Sequence, residues 1–211
     1  MKINKMKNEI FQESKSFASK NGWSNNIFKD ISKKMNLNYF EIRALFPEGY
    51  VTLLNMYLNE INQKMIKESK NIDLIRLRVH ERVKELIILR LKIMSKDKRL
   101  LSKTFSHLML PSNYKLASMN LFKTVDEIWY LTGDTSSDFN YYTKRLILSK
   151  VYTITLIHFM NNANIEDTIV VLNKQLAKVS KIPKIKETIK DLKNFSPNIL
   201  NFVKGFSFIK R

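Results

Sequence analysis

Apolar residues recur along this chain at close to helical spacing, and where that pattern breaks, short turns are expected. Ile3, Met6, Ile10, Phe11 and Phe17 predict an opening helix over 2–19, closed at Asn21-Gly22, where Gly22 suits a left-handed C-terminal position. Ser24 is expected to cap a second helix to 35, with Ile27, Ile31 and Met35 on one face. A turn through 36–38 leads to a brief third helix over 39–45, stopped by Phe46-Pro47 because the residue before proline disfavours the α region. A long helix follows over 50–70. The next is expected to open at Asp73, with Leu74, Leu77, Leu86, Leu89 and Ile93 as its apolar stripe and Arg76, Arg82, Lys84 and Arg90 facing elsewhere. Further helices are predicted over 100–109, from Ser112 or Asn113 to 129, over 138–160 and over 165–181. Nine or ten helices and no strand make the expected fold all-α. Its expected division is a head over 1–49, a helical body over 50–182 and a basic C-terminal segment over 183–211.

Composition supports that architecture. Only four Gly and four Pro are present, which starves β-turns and favours long helices joined by short loops. Cysteine is absent, which removes disulfides, thiolate zinc sites and thiol catalysis together. A formal net charge of +18 implies an anionic partner without choosing between nucleic acid, acidic protein and membrane. The N-terminus shows neither a signal-peptide core nor the Arg- and Ser-rich pattern of a transit peptide, and no apolar run reaches the length of a membrane span. On these grounds the expected location is the bacterial cytoplasm, peripheral on the inner membrane.

The first three helices, with Gly22-Trp23, Ile31, Leu37 and Leu45-Phe46-Pro47 at their marked places, resemble the TetR-type DNA-binding head. The candidate recognition stretch, Asn38 through Ala44, carries one Arg and one Glu, a poor endowment for reaching base edges and phosphates. The scaffold is therefore expected to be kept and sequence-specific nucleic-acid reading lost, with Lys2, Lys5 and Lys7 left for non-specific phosphate contact.

A more specific signature runs from Val125 to Arg145. Asp126-Glu127-Ile128-Trp129, then Gly133-Asp134-Thr135-Ser136-Ser137-Asp138-Phe139-Asn140-Tyr141-Tyr142-Thr143-Lys144-Arg145, resembles the coenzyme-Q-nine family of ubiquinone accessory proteins, with Tyr141 where that family usually has Trp. Leu110-Pro111-Ser112-Asn113 upstream and Glu166-Asp167-Thr168 downstream fit the same pattern. The resemblance implies a TetR-like helical bundle that binds isoprenoid lipids and docks a di-iron ubiquinone hydroxylase. By this resemblance the docking residues are Ile128, Asp138, Asn140, Tyr141, Tyr142 and Arg145. On the plainer reading Asp134, Ser137 and Asp138 are helix caps, Phe139 and Tyr142 are core and Arg145 makes an internal ion pair.

Catalytic constellations are missing. Asp126 and Glu127 diverge by about 100° around a helix, His80, His107 and His158 are scattered, and no Glu-x-x-His, His-Glu-x-x-His, P-loop or Gly-x-Gly-x-x-Gly occurs. His158 reads as a helix histidine near the core. Neither enzymatic activity nor a metal or cofactor is expected, and the family resemblance implies a lipid or isoprenoid quinone precursor as the ligand. The TetR-type resemblance implies an apolar cavity between the longer helices as the site, in keeping with the usual form of small-molecule sites, with Leu89, Ile93, Leu108, Trp129, Tyr152, Leu156 and Phe159 as candidate lining. The last segment holds nine basic and two acidic residues between Lys178 and Arg211. There Ile199, Leu200, Phe202, Val203, Phe206 and Ile209 form a stripe beside Lys204 and Lys210, the pattern of an interfacial membrane helix or of one folded back on the core. The TetR-type resemblance implies homodimerisation through the last two long helices, 138–160 and 165–181. The function expected is non-catalytic presentation of a quinone precursor; the competing readings are a TetR-type regulator and a generic lipid carrier.

Overall fold

In this computed structural model the described residues are 2–180, apart from 138 and 163. They form nine α-helices and one turn of 3₁₀ helix, with no strand among them. The helices are α1 (Lys2–Asn21), α2 (Asn26–Met35), α3 (Tyr39–Leu45), α4 (Tyr50–Ser69), α5 (Val79–Ser95), α6 (Lys98–Leu108), α7 (Tyr114–Leu131), α8 (Phe139–Asn162) and α9 (Ile165–Ser180); the 3₁₀ turn is Pro111–Asn113.

Helices α1 to α3 close around Ile10, Ile27, Phe28, Ile31, Ile42 and Phe46, all essentially inaccessible to solvent. The turn between α2 and α3 is made by Asn36 in the left-handed region (φ 50°), followed by Asn38, whose side chain accepts from the Phe40 amide at 2.8 Å. The second helix starts later than Ser24. Asn25 precedes it, and its side chain accepts instead from the Tyr50 amide, fastening the start of α2 to the start of α4. That closure requires Gly49: its φ is +66°, and an added Cβ would collide with Asn25 Oδ1.

The largest departure from the expected elements lies before α5. The helix opens at Val79, not Asp73, and residues 70–78 are turns. Arg82 explains the difference. Its guanidinium donates to the carbonyls of Ile75 at 3.1 Å, Leu77 at 2.9 Å and Thr132 at 2.9 Å. The first two are carbonyls that a continuous helix would have used internally. The third is at the C-terminal end of α7, so Arg82 ties this turn segment to α7.

From Val79 onward α5 is the central strut, packing against α4, α6, α7, α8 and α9. Leu86, Ile87 and Leu91 on it are fully buried. Arg90, expected to face outward, is buried as well, at 2% exposure. Helix α8 packs on α7 and α9, and α1 packs on both α4 and α6, so the head rests on the body.

Candidate functional site

A cavity of about 200 Å³ opens between α4, α5, α6, α7 and α8. Its walls are mostly apolar: Leu58 from α4, Met94 from α5, Leu101 and Leu108 from α6, Leu121 from α7 and Leu156 from α8. Of the lining expected from the sequence, Leu108, Tyr152 and Leu156 are brought together here. Leu89, Ile93, Trp129 and Phe159 are not. Ile93 and Phe159 are core, and Leu89 and Trp129 pack half-buried against it; on α5 it is the neighbouring Arg90 and Met94, about 100° further round the helix, that line the opening. Met109, 58% exposed, marks the mouth.

Sequence reasoning missed the residue that gives the cavity its one formal charge. Arg90 lines it and is held by three other helices. Its Nε donates to Tyr152 Oη on α8 at 2.8 Å, Nη2 donates to Thr124 Oγ1 on α7 at 3.2 Å, and Nη1 donates to Asn62 Oδ1 on α4. Thr104 is a second overlooked wall residue. Its hydroxyl accepts from the Trp23 indole at 2.9 Å, so the head's conspicuous Trp reaches the cavity wall.

The second candidate region is the junction of α7 and α8. Gly133, with φ +84°, reverses the chain after α7. Asp134 then serves as an anchor and not a helix cap. It accepts from Ser136 Oγ and Lys144 Nζ, each at 2.7 Å, and from Arg145 Nη1 at 3.0 Å. Burial pushes the Asp134 carboxyl up, but these three donors outweigh it and bring it down to about 2. Arg145 Nε also donates to Asp126 Oδ1 on α7 at 2.6 Å, and its guanidinium lies 3.4 Å over the Tyr141 ring.

This arrangement corrects the expected docking set. Ile128 is buried in the core and Arg145 is 3% exposed, because two aspartates and an aromatic face draw the guanidinium inward. Asn140 is exposed, while Tyr141 and Tyr142 are half-buried and pack edge to face at 5.0 Å. The Tyr141 hydroxyl donates to Asp126 at 2.9 Å; burial and then this carboxylate push it up. Asp138 lies outside the described residues, as do Ile199, Leu200, Phe202, Val203, Lys204, Phe206, Ile209 and Lys210 of the C-terminal stripe.

In the candidate reading helix, α3, Phe40 points outward at 79% exposure while Arg43 turns back. Its guanidinium sits 4.9 Å over the Phe28 ring and donates to the Phe46 carbonyl at 3.3 Å. The helix's one cation is thus engaged by the head's own core. His158 Nδ1 is 3.2 Å from Thr168 Oγ1, linking α8 to α9. Burial holds the His107 imidazole below its usual range. Among the described residues no three His, Asp or Glu side chains are grouped to hold a metal, and no helix is long and apolar enough to cross a membrane.

The two regions meet in one stretch of chain: α7 and α8 supply part of the cavity wall and the whole aspartate–arginine junction. The family model that matches this stretch, over residues 114–183, is COQ9. Over that segment the chain resembles the COQ9 family. The chain is 40% identical over 68 residues to the mitochondrial ubiquinone biosynthesis protein COQ9 of Bos taurus, covering 31% of this chain and 21% of that protein. It is 25% identical over 167 residues to a probable mitochondrial ubiquinone biosynthesis protein coq9 of Dictyostelium discoideum, covering 76% and 54%. In its longer alignments the chain spans about half the length of the curated relatives it matches. These relatives are mitochondrial proteins of eukaryotes, which overturns the expectation of a bacterial cytoplasm. In architecture the chain is similar to the crystal structure of a TetR transcriptional regulator from Nitrosomonas europaea, with a TM-score of 0.64 and 17% identity over 83% of this chain and 98% of that one. The COQ9 segment is therefore set in an all-α TetR-like fold.

Proposed function

We propose that the chain is a non-catalytic, lipid-binding accessory protein of ubiquinone biosynthesis. It withdraws a hydrophobic quinone precursor from a membrane surface into the cavity between α4 and α8, and passes it to a membrane-associated hydroxylase. The observation that carries this reading is the apolar cavity, part of whose wall comes from the COQ9 segment through Leu121, Tyr152 and Leu156. A concave, mostly apolar space with a few placed polar groups is the usual form of a small-molecule site. The relatives' names supply the pathway.

In this reading Asn140, Tyr141 and Tyr142 meet the hydroxylase, and Arg145 acts from behind by fixing the start of α8. The stripe from Ile199 to Lys210 provides membrane contact, and the copies pair through α8 and α9. The regulator reading is disfavoured by α3, whose Arg43 is directed into the head.

The test is native mass spectrometry of the purified protein with extraction of any bound lipid. We expect a co-purifying lipid-sized ligand that is lost in Leu156→Trp, a substitution that fills the cavity while the far-UV circular dichroism stays helical. Pull-down of the hydroxylase is expected to fail with Tyr142→Ala. Specific retention of a DNA sequence at physiological salt, with no lipid bound, would overturn the assignment in favour of the regulator.

A further inference from the structure

The cavity is mostly apolar and Arg90 is the one charged residue among those that line it, which carries a prediction about its ligand. A guanidinium has five N–H donors and keeps its charge in any protein environment. Three of the five are used by Arg90, on Tyr152, Asn62 and Thr124. The two that remain lie one on each terminal nitrogen, the number a carboxylate takes in a forked pair.

All three partners are neutral, and among the described residues no carboxylate forms a salt bridge with Arg90. Two acidic side chains act on Tyr57, a residue that Arg90 also influences; they are Asp97 and Glu60, and both are committed elsewhere. Asp97 accepts from the Leu100 amide at 3.0 Å, and Glu60 is paired with Lys15 at 3.0 Å and Lys64 at 2.8 Å. A buried cation with neutral partners alone is costly, and an anion arriving from outside removes that cost. Of the lining residues Arg90 is 2% exposed and Met109 58%, so the charge is on the buried side of the cavity and Met109 on the solvent side. Leu58, Met94, Leu101, Leu108 and Leu121 line the space between.

We propose that the ligand of this cavity is an acidic amphiphile, an apolar chain ending in a carboxylate, which enters head first and pairs with Arg90 while its chain runs out past Met109. This rests on the cavity being the lipid site. It adds an orientation and a head-group chemistry, and requires that a quinone precursor held here carry a carboxylate on its head group.

The experiment uses the full chain and two probes of equal length, dodecanoate and dodecan-1-ol, titrated calorimetrically at pH 8. Dodecanoate is expected to bind about tenfold tighter or better, the usual gain of a charge-assisted over a neutral hydrogen bond. Arg90→Met is expected to bind both probes alike, and Arg90→Lys to keep part of the preference. Leu156→Trp is expected to bind neither, which ties the preference to this cavity and not to the basic surface.

Equal affinity of the native chain for both probes overturns the acidic head and leaves the lipid cavity standing. Binding of neither probe overturns both. A preference that survives Arg90→Met, or dodecanoate binding that survives Leu156→Trp, also overturns the proposal. Should Arg90→Met fail to fold, the comparison of the two probes on the native chain decides alone.

Discussion

Arg90 and Arg145 sit equally deep, at 2% and 3% exposure, yet their surroundings have opposite chemistry. Arg145 faces two carboxylates, Asp126 and Asp134, and stacks on Tyr141. Its charge is answered within the chain, and the junction it makes locks α7 to α8. Arg90 faces a hydroxyl, an amide and a phenol, and borders an open cavity. A closed ion pair fixes two elements to each other and makes the loss of either partner costly. A charge that lines a cavity and is answered only by neutral groups has donors left for an anion. Burial alone therefore does not say what an arginine is for; its partners do.

The contrast breaks most readily at Arg145. Arg145→Met leaves the buried Asp134 with Lys144 as its only cationic partner and takes the cation from the partly exposed Asp126, and a loss of about 3 kcal/mol is expected in urea unfolding. Arg90→Met strands only neutral groups, so about 1–3 kcal/mol is expected from the same measurement. Equal losses at the two positions would erase the distinction.

Acid sharpens it next. Asp134 titrates near 2, below the ordinary carboxylate value of about 4. The stability it contributes is thus complete above about pH 4 and is lost as pH falls towards 2. Unfolding midpoints between these values should fall less steeply in Asp134→Asn than in the native chain, and parallel curves would remove Asp134 from the account. At the cavity, Tyr152→Phe withdraws the acceptor of Arg90 Nε and is expected to lower stability by about 1–2 kcal/mol. The smallest expected effect is at the turn: Gly133→Ala, with φ +84° but no steric clash, should cost about 1 kcal/mol in thermal or urea unfolding.

Features set by near neighbours were legible from the sequence. Helix α3 has the expected bounds because Asn38 caps it and Pro47 ends it within a few residues. The α7–α8 signature was also visible, since Arg145 meets Asp134 eleven residues away and Asp126 nineteen away. Its orientation was not, because the same residues fit a surface patch or an internal pair equally well in one dimension. Arg90 was misplaced for a different reason. Its partners lie 28, 34 and 62 residues away, and a periodicity that equates charge with solvent puts any arginine on the outer face. The late start of α5 has the same origin: Arg82 reaches fifty residues to Thr132 while taking carbonyls from the segment before it.

The hydrogen bond from Trp23 to Thr104 has an optical consequence. The chain has two tryptophans, and this one ends on a hydroxyl that lines the cavity. A ligand that shifts Thr104 changes the polarity and bonding felt by the indole, so its emission wavelength should follow occupancy. With Trp129→Phe removing the other signal, Trp23 becomes a native fluorophore that reports filling of the cavity without a label.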